Sequence, residues 1–509
     1  MGDAAPDEDC VIERQELVAR ATHSVKWSFI SNIAPRLVTP ITTLWLTTLL
    51  TPADFGIVAA STTVLALAQI VLGLGMGAAV IQRRTDVQGA ASTALWMTLV
   101  LAAGLYGLVW ISAPYVAQLY NMPVIAGALR VAALALVITG AGSIPGALIQ
   151  RNLDFQKLFW VNSIAPVISG LVSVGLVLGG AGFWGLIWGP LAGAGVGTLL
   201  AWRLAGWRPA FAFDRYIARS LVGFGAWVVA ASMVTWFFGQ ADNALCGYTY
   251  GTATLGVYAL GFNLSGLFPG FVISPLAAVA YPAFCAVQHD AYQVGRALLK
   301  LQALTAAVLC PVALGLAAIA YAGVAAIYGG RWPGLGMVIQ FLAIMPGLSH
   351  IWSLNADAYR ALGRPDIWPR LGLVTLLVLM PLLVMALPHG LLWFTVARMA
   401  GATVFPVLII LMTPSVLHIT VREQLRAIAG PLTCAVVMFL VARLCIGRLD
   451  PFVGWQGLVK LGVVIAASAA VYVGLLWLVS REAWNDLLAA ARRILVGAAW
   501  PHETKRSND

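Results

Sequence analysis

The stretch GIVAASTTVLALAQIVLGLGMGAAVI, residues 56–81, decides the fold class. It contains no charged side chain, and Arg83 and Arg84 follow it after a single glutamine. A helix of about 20 apolar residues spans the hydrocarbon core of a bilayer, so this stretch predicts a membrane-spanning helix. The turn Thr51-Pro-Ala-Asp54 before it and the two arginines after it mark the ends of the helix.

The composition extends this conclusion to the whole chain. Of 509 residues, 61% are apolar and 10% are charged, whereas a soluble domain has roughly 25% charged residues. The net charge of +10 does not indicate a nucleic-acid partner, because the basic residues are scattered singly or in pairs between apolar runs. The six cysteines form no CxxC pair and have no metal-ligand spacing, so we expect neither a metal site nor disulfides.

Apolar runs bounded by charges, proline and glycine predict an all-α membrane protein with about fourteen spans. The predicted spans 1 to 14 are 25–50, 56–81, 89–113, 123–149, 157–179, 182–203, 218–248, 254–284, 293–322, 334–361, 368–387, 390–414, 424–446 and 455–480. After the last span, apolar residues recur at helical spacing from Trp484 to Ala498, which predicts a short amphipathic helix on the lipid surface.

The distribution of lysine and arginine predicts the orientation of the chain in the membrane. We number each connection by the span that precedes it. The N-terminal segment, the even-numbered connections and the tail together hold 23 of the 30 basic residues. The odd-numbered connections hold only Arg331, Arg443 and Arg448. Because basic residues concentrate on the cytoplasmic side, we expect both termini to lie in the cytoplasm.

An internal repeat relates the two halves of the chain. The segment GIVA at 56–59 is echoed by GVYA at 256–259, and AAV at 78–80 is echoed by AAV at 277–279. The offset of about 200 residues corresponds to six spans. An even number of spans in each unit predicts parallel repeats, related by an axis along the membrane normal.

Several motifs resemble one family of membrane proteins. The segment LTPADFGIVA at 50–59 resembles the L-x-P-x-D-F-G turn after the first helix of the Wzx-type oligosaccharide flippases. Further segments that resemble the family in the same order are LGMGAAVIQR at 74–83, PGALIQRNLDF at 145–155, QADN at 240–243, LGVY at 255–258 and ALGR at 361–364. The resemblance runs from about residue 20 to about residue 370.

The resemblance implies the fold of the multidrug/oligosaccharidyl-lipid/polysaccharide exporter superfamily, in which two pseudo-symmetric six-helix lobes surround a central cavity and two further helices follow. The expected segments are a cytoplasmic N-terminus (1–24), a first lobe (25–204), a cytoplasmic linker (205–217), a second lobe (218–414), two extra helices (415–481) and an amphipathic cytoplasmic tail (482–509).

The resemblance also implies a function. Family members move undecaprenyl-diphosphate-linked repeat units across the bacterial inner membrane, for exopolysaccharide or O-antigen-type lipopolysaccharide. The implied partners are this lipid-linked oligosaccharide, membrane lipid, and the polysaccharide polymerase and export machinery. The chain lacks a GxxxxGK[ST] motif, so we expect no ATP site and no cofactor. The energy then comes from a proton or Na⁺ gradient, or from removal of the product outside.

Ionisable residues inside a span are costly and therefore indicate function. Arg36 lies about ten residues into span 1, and Asn32 lies one turn earlier on the same face. A guanidinium suits a diphosphate or an acidic sugar. The alternative role is a buried ion pair with a carboxylate.

A second group of candidates lies in span 7. Trp236, Gln240 and Asn243 share one helical face, and an indole with amides can stack on and bond to a sugar. Packing between the lobes is the alternative. Asp242 points about 200° away from Gln240. It is a candidate proton or Na⁺ site, with a structural ion pair as the alternative.

The remaining candidates lie near the ends of their spans. Arg130 and Arg398 are candidate cavity residues that could instead extend to the membrane surface. Asp357 is a second ion-coupling candidate, although Arg360 lies three residues away and predicts a local ion pair. Asp54 lies in the turn after span 1 and is expected to cap the next helix, with contact to the substrate as the alternative.

Three functions fit a chain of this kind. The first is the lipid-linked oligosaccharide flippase, and the second is a cation-coupled small-molecule exporter of the same superfamily. The third, a membrane polymerase or ligase, requires a large periplasmic loop, whereas the odd-numbered connections here are short. Spans 1 to 6 contain Arg36 and Arg130 but no carboxylate away from their ends, which favours an anionic cargo over a cationic drug.

Overall fold

The computed structural model describes residues 38–481, except 74, 75, 84, 85, 153, 212 and 450, together with 484, 485 and 488. The described residues form helices joined by short turns and contain no β-strand. The first helix, α1, occupies 38–49 of the described chain. The helices that follow are α2 (Pro52–Leu72), α3 (Met76–Gln82), α4 (Val87–Leu119), α5 (Val124–Ala132), α6 (Leu134–Arg151), α7 (Phe155–Leu178), α8 (Gly185–Ala205), α9 (Arg215–Ala286), α10 (Ala291–Tyr328), α11 (Leu335–Ser349), α12 (Asn355–Ala361), α13 (Ile367–Ala386), α14 (Leu391–Leu417), α15 (Val421–Leu449) and α16 (Gly454–Val479).

Within this described part, eleven helical segments are long and apolar enough to cross a membrane. They correspond one to one to predicted spans 2–6 and 9–14, which confirms the all-α membrane class. Span 4 is interrupted at Ala133, between α5 and α6, and span 10 is interrupted by a 3₁₀ turn at His350–Trp352. The count of fourteen stays a prediction, since span 1 is described only from residue 38 and the amphipathic tail lies almost entirely outside the described residues.

Spans 7 and 8 together form α9, whose 72 residues are interrupted at Gly251. This residue has φ 80° and ψ 175°, a conformation that glycine adopts far more readily than other residues. The break divides α9 into a first arm, 215–250, and a second arm, 252–286. Each arm is about 50 Å long, enough to cross a bilayer.

The start of α2 is fixed by a capping box. The backbone nitrogen and Oγ1 of Thr51 donate to Asp54 Oδ2 at 2.9 and 2.6 Å, and the Asp54 nitrogen donates back to Thr51 Oγ1. The predicted capping role of Asp54 is confirmed. Thr420 and Glu423 form the same reciprocal bonds at the start of α15.

The chain divides into two compact units. Of the described residues, unit 1 contains those up to Leu260 together with Arg331–Pro333 and Met380–Phe394. Unit 2 contains Gly261–Gly330, Gly334–Leu379 and the described residues from Thr395 onward. The lobe limits given by the sequence are a different division and stay predictions.

In unit 1, helices pack closely where glycine removes the side chain. Gly185, Gly189 and Gly193 form a stripe on α8, and a Cβ at any of them would lie 2.5–2.8 Å from a carbonyl oxygen of α7. Small residues four apart let two membrane helices approach to backbone contact. The predicted inter-lobe linker also packs here, because Trp207 Nε1 donates to Gln88 at the start of α4.

A close backbone approach in unit 1 joins the two predicted repeats. A Cβ at Gly56 of α2 would lie 1.8 Å from the carbonyl oxygen of Thr252, and a Cβ at Gly256 would lie 1.9 Å from that of Pro52. The two contacts are reciprocal, because residues 52 and 56 meet residues 252 and 256. We call these four residues the glycine crossing. The two copies of the sequence repeat, at 56–59 and 256–259, therefore contact each other where α2 meets the second arm of α9.

Unit 2 is built around α10 and contains a buried polar network. Gln302 Nε2 donates to Asn355 Oδ1 at 2.8 Å, and Asn355 Nδ2 donates to Thr413 Oγ1 at 3.1 Å. The Tyr359 hydroxyl lies 2.9 Å from Thr413 Oγ1, which itself donates to the carbonyl of Ile409. The four side chains of this network, Gln302, Asn355, Tyr359 and Thr413, are at most 1% exposed. They fasten α10, α12 and α14 together.

Candidate functional site

The first predicted pair of substrate residues, Asn32 and Arg36, lies outside the described residues. Both therefore stay predictions. The described candidates are distributed over the two units: Arg130, Trp236, Gln240, Asp242 and Asn243 belong to unit 1, and Asp357 and Arg398 belong to unit 2.

The polar residues predicted on span 7 form a connected surface on the first arm of α9. Asn243 Nδ2 donates to Gln240 Oε1 at 3.0 Å, so the two amides hold each other in place. Trp236 lies one turn before Gln240, and its ring packs edge-on against Phe237 at 5.1 Å between centroids. The three residues thus occupy one side of the helix, as their spacing predicts.

Two polar atoms of this surface are buried without a hydrogen-bond partner among the described residues. They are Trp236 Nε1, a donor, and Asn243 Oδ1, an acceptor. Seven residues separate them, about 10 Å along the helix. A buried polar group without a partner costs free energy, and a sugar hydroxyl can both donate and accept. The surface can therefore hydrogen-bond a glycan when a movement of the helix exposes it.

Asp242 makes its contacts away from the amide pair. Its Oδ2 accepts from the Tyr258 hydroxyl at 2.8 Å, and its Oδ1 accepts from the backbone nitrogen of Asn243. Tyr258 lies on the second arm of α9 and packs against the ring of Phe394. Residues nine before and seven after Gly251 therefore meet, so the hydrogen bond joins the arms beside their break. Asp242 is 1% exposed.

The two arginines of the prediction pack against aromatic rings. The Arg130 guanidinium lies 4.8 Å from the centre of the Trp110 ring, and its Nε donates to the Trp110 carbonyl. Arg398 lies over the ring of Phe262 at 5.7 Å. Arg398 is only 3% exposed, so it does not extend to the membrane surface, the alternative that its position near a helix end had left open.

Asp357 forms the local ion pair that its spacing predicts. Its Oδ1 lies 2.8 Å from Nη2 of Arg360, one turn further along α12. The carboxylate is largely buried and the guanidinium is more than half exposed. This ion pair gives Asp357 a structural role, and its role in ion coupling stays a prediction.

Sequence reasoning missed the partners of these residues. Tyr258 belongs to the motif LGVY at 255–258, but nothing local connects it to Asp242 across the break at Gly251. The polar network of unit 2 was also missed, because Gln302, Asn355 and Thr413 lie far apart in the chain. The matching repeats in the sequence point to the segments of the glycine crossing, but they do not predict that these segments contact each other.

Comparison with known proteins places the chain in a family. The family described as "Polysaccharide biosynthesis protein" matches residues 45–336, more than half of the chain. Relatives include the teichuronic acid biosynthesis protein TuaB of Bacillus subtilis, 27% identical over 59% of this chain and 62% of that protein. The succinoglycan biosynthesis transport protein ExoT of Rhizobium meliloti is 24% identical, covering 64% and 66% of the two chains. The lipopolysaccharide biosynthesis protein WzxC of Escherichia coli is 24% identical, covering 67% and 70%.

The chain thus matches about two thirds of the length of these relatives. Among solved structures, the inward closed conformation of the lipid II flippase MurJ superposes with a TM-score of 0.72 at 12% identity, covering 90% of this chain and 99% of that one. An inward-facing MATE multidrug transporter superposes with a TM-score of 0.57 at 13% identity, covering 76% and 98%. At these identities the structures establish the fold alone, a helical transporter fold of the kind that the sequence motifs imply, and the arrangement of its lobes stays a prediction. With the family match across the first repeat and into the second, the chain belongs to the polysaccharide biosynthesis protein family.

Proposed function

We propose that this protein moves a polyprenyl-diphosphate-linked oligosaccharide from the cytoplasmic to the periplasmic leaflet of the bacterial inner membrane, by alternating access. The family match over residues 45–336 carries this proposal. Its relatives are named for teichuronic acid, succinoglycan and lipopolysaccharide biosynthesis, and one is named a transport protein. The fold shared with a lipid II flippase supports a lipid-linked cargo.

The cargo presents a physical problem that this fold can solve. A sugar hydroxyl stripped of water without a new partner costs about 1–3 kcal/mol, and a diphosphate costs far more. A transporter must therefore offer polar groups to the headgroup while the polyprenyl chain stays in lipid. The face of Trp236, Gln240 and Asn243 supplies an indole, an amide pair and two polar atoms that have no partner within the described part of the chain.

Arginine complements this face in the proposal. Arg36, with Asn32 one turn earlier, is proposed to bind the diphosphate, because a guanidinium can hold two phosphate oxygens at once. Arg130 is assigned a secondary role, since its guanidinium is already engaged with Trp110. Arg398 is buried in unit 2 and stays a cavity candidate of the proposal.

Transport is proposed to be driven by a proton or Na⁺ gradient. Of the two predicted carboxylates, Asp357 forms an ion pair with Arg360. Asp242 accepts a hydrogen bond from the Tyr258 hydroxyl beside the break of α9. A change in the charge of Asp242 would alter the bond that joins the two arms. Asp242 is therefore the first carboxylate to test.

The proposal includes an orientation. Both termini lie in the cytoplasm, so the odd-numbered connections, including those at the glycine crossing, face the periplasm. Delivery of cargo on that side suits a polymerase and export machinery that use the repeat units outside the membrane.

The test begins with deletion of the gene in the native host. A lipid-linked glycan should accumulate on the cytoplasmic leaflet, and its extraction provides the cargo for proteoliposomes. Purified protein should then move that cargo between leaflets, as measured by its protection from a membrane-impermeant glycosidase. Arg36→Ala should abolish transfer with the protein level unchanged, and Arg36→Lys should retain part of it. Accumulation of no glycan, together with no transfer in vesicles, would contradict the proposal.

A second candidate is a cation-coupled exporter of small molecules. The observation in its favour is the buried carboxylate Asp242 in a fold shared with an inward-facing MATE transporter. The same proteoliposomes distinguish the two candidates. An exporter would carry a cationic dye against a proton or Na⁺ gradient and leave the lipid-linked glycan in place.

A further inference from the structure

In each repeat, the connection that follows the third span contacts the opposite repeat beside the glycine crossing. The first is the segment Arg331–Pro333, which belongs to unit 1 although α10 before it belongs to unit 2. Arg331 Nη1 donates to the Thr48 carbonyl at 2.7 Å, and Trp332 Nε1 donates to the Thr47 carbonyl at 3.1 Å. These bonds satisfy carbonyls at the end of α1, where the helix itself supplies no partners.

The ring of Trp332 also reaches the start of α2. It meets the ring of Phe55 edge-on, at 5.5 Å between centroids. The connection after α10 therefore holds both sides of the turn that joins α1 to α2. We call these contacts of Arg331 and Trp332 the first clasp.

The connection after α4 makes the equivalent contacts with the other repeat. Tyr120 lies so close to Gly247, near the end of the first arm of α9, that a Cβ there would be 2.3 Å from the ring. Met122 Sδ accepts from Thr252 Oγ1 at 3.0 Å, at the start of the second arm. We call these contacts of Tyr120 and Met122 the second clasp.

The two clasps are related by the same offset as the glycine crossing. The first clasp holds residues 47 and 48 before a turn and residue 55 after it. The second holds residues 247 and 252 in the corresponding places. The crossing and the clasps thus form one assembly with approximate two-fold symmetry, in which each repeat closes over the other's first turn.

We propose that this assembly is the outer gate of the transporter, closed in this structure and parted when cargo is released. The inference rests on the proposed function and its orientation. The crossing is held by backbone contact between two helices and not by a polar side chain of either helix, so separating the helices leaves no buried charge behind. The clasp contacts are made by carbonyls, a hydroxyl, a thioether and rings near helix ends, and water can bond to the carbonyls and the hydroxyl after opening.

The proposal gives Gly56 and Gly256 a positioning role. An alanine at either place would put a methyl group within 2 Å of a backbone carbonyl, and a backbone cannot move aside as a side chain can. The variants should therefore hold the helices apart and favour the open gate. Gly266, on the same arm of α9 as Gly256, has no atom within 4 Å of a built Cβ. Gly266→Ala is the matched control.

The test uses cysteine cross-linking of the full chain in membranes. Met122→Cys and Thr252→Cys, in a chain whose native cysteines are replaced by alanine, should be joined by a short bis-methanethiosulfonate reagent. Adding Gly56→Ala or Gly256→Ala should lower the cross-linked fraction at least threefold. It should also raise labelling of Thr252→Cys alone by a membrane-impermeant maleimide added outside. Gly266→Ala should change neither measurement.

A second variant covers the case in which the alanine variants do not fold. Trp332→Ala removes the ring of the first clasp without filling the crossing, and it should raise outside labelling in the same way. Unchanged cross-linking and labelling in the glycine and tryptophan variants would overturn the gate. Cross-linking and labelling need no cargo, so they test the gate separately from the transport assay. If the variants change both measurements but the protein moves no lipid-linked glycan, the proposed function is contradicted and the gate is supported.

Discussion

The glycine crossing of unit 1 and the polar network of unit 2 join helices in opposite ways. At the crossing, Gly56 and Gly256 let two backbones touch, and no side chain of either residue takes part. In the network, Gln302, Asn355 and Thr413 link three helices through hydrogen-bonded side chains that are at most 1% exposed. The crossing depends on the absence of a side chain at each glycine. The network depends on side chains whose donors and acceptors match.

The difference has a consequence for movement. At the crossing, each glycine contacts a backbone carbonyl of the other helix, and the groups that separate on opening are already bonded within their own helices. Opening the network would leave buried amides and hydroxyls without partners, each of which costs free energy. We therefore expect the crossing to open and close while the network stays intact.

The largest expected effect comes from filling the crossing. Gly256→Ala should lower the stability of unit 1 by about 2–3 kcal/mol, the upper part of the range of about 1–3 kcal/mol for overpacking, because the backbone it meets cannot shift as a side chain can. Gly266→Ala should instead stabilise its helix, by up to about 1 kcal/mol. Thermal unfolding in detergent, followed by tryptophan fluorescence, measures both. Adding Gly56→Ala to Gly256→Ala should cost less than the sum of the single changes, because both disturb the same contact. Full additivity would contradict a shared contact.

A smaller effect should follow from breaking the network. Thr413→Val keeps the side-chain shape but leaves Asn355 Nδ2 and the Tyr359 hydroxyl without their acceptor, at a cost of about 1–2 kcal/mol. Thr375→Val is the matched control, because among the described residues the partner of that buried hydroxyl is the carbonyl of Leu371 in its own helix. The unfolding temperature should fall further for Thr413→Val, while cross-linking between Met122→Cys and Thr252→Cys stays unchanged. Equal losses in the two valine variants would show that the network fastens nothing.

The sequence predicted the parts of the fold that depend on local chemistry. Apolar runs bounded by charges correctly place eleven spanning segments, because burial in lipid is decided residue by residue along a helix. The capping role of Asp54 was predicted correctly for the same reason, since the box with Thr51 closes within one turn. The offset of 200 residues predicts which segments are equivalent, and the reciprocal contact of residues 52 and 56 with residues 252 and 256 agrees with that prediction.

Contacts between distant segments could not be predicted in this way. Gly56 and Gly256 were recognised as repeat markers, but a repeat does not say whether its two copies touch. The partners of Arg130 and Asp242, namely Trp110 and Tyr258, are chosen by packing between helices. Single polar residues such as Gln302 and Thr413 have no local pattern that relates them.

The smallest expected effect distinguishes the two regions most cleanly, because both contain the same motif. Asp54→Ala and Glu423→Ala each remove the acidic half of a capping box, at a cost of about 0.3–1.5 kcal/mol. The two variants should therefore unfold at similarly reduced temperatures.

Only Asp54 caps the turn that carries Pro52, whose carbonyl meets Gly256 at the crossing. Asp54→Ala should thus also lower the cross-linked fraction of the Met122→Cys and Thr252→Cys pair, and Glu423→Ala should leave it unchanged. If both caps altered the cross-linking equally, the closed gate would depend on overall stability and not on the local geometry of the first turn.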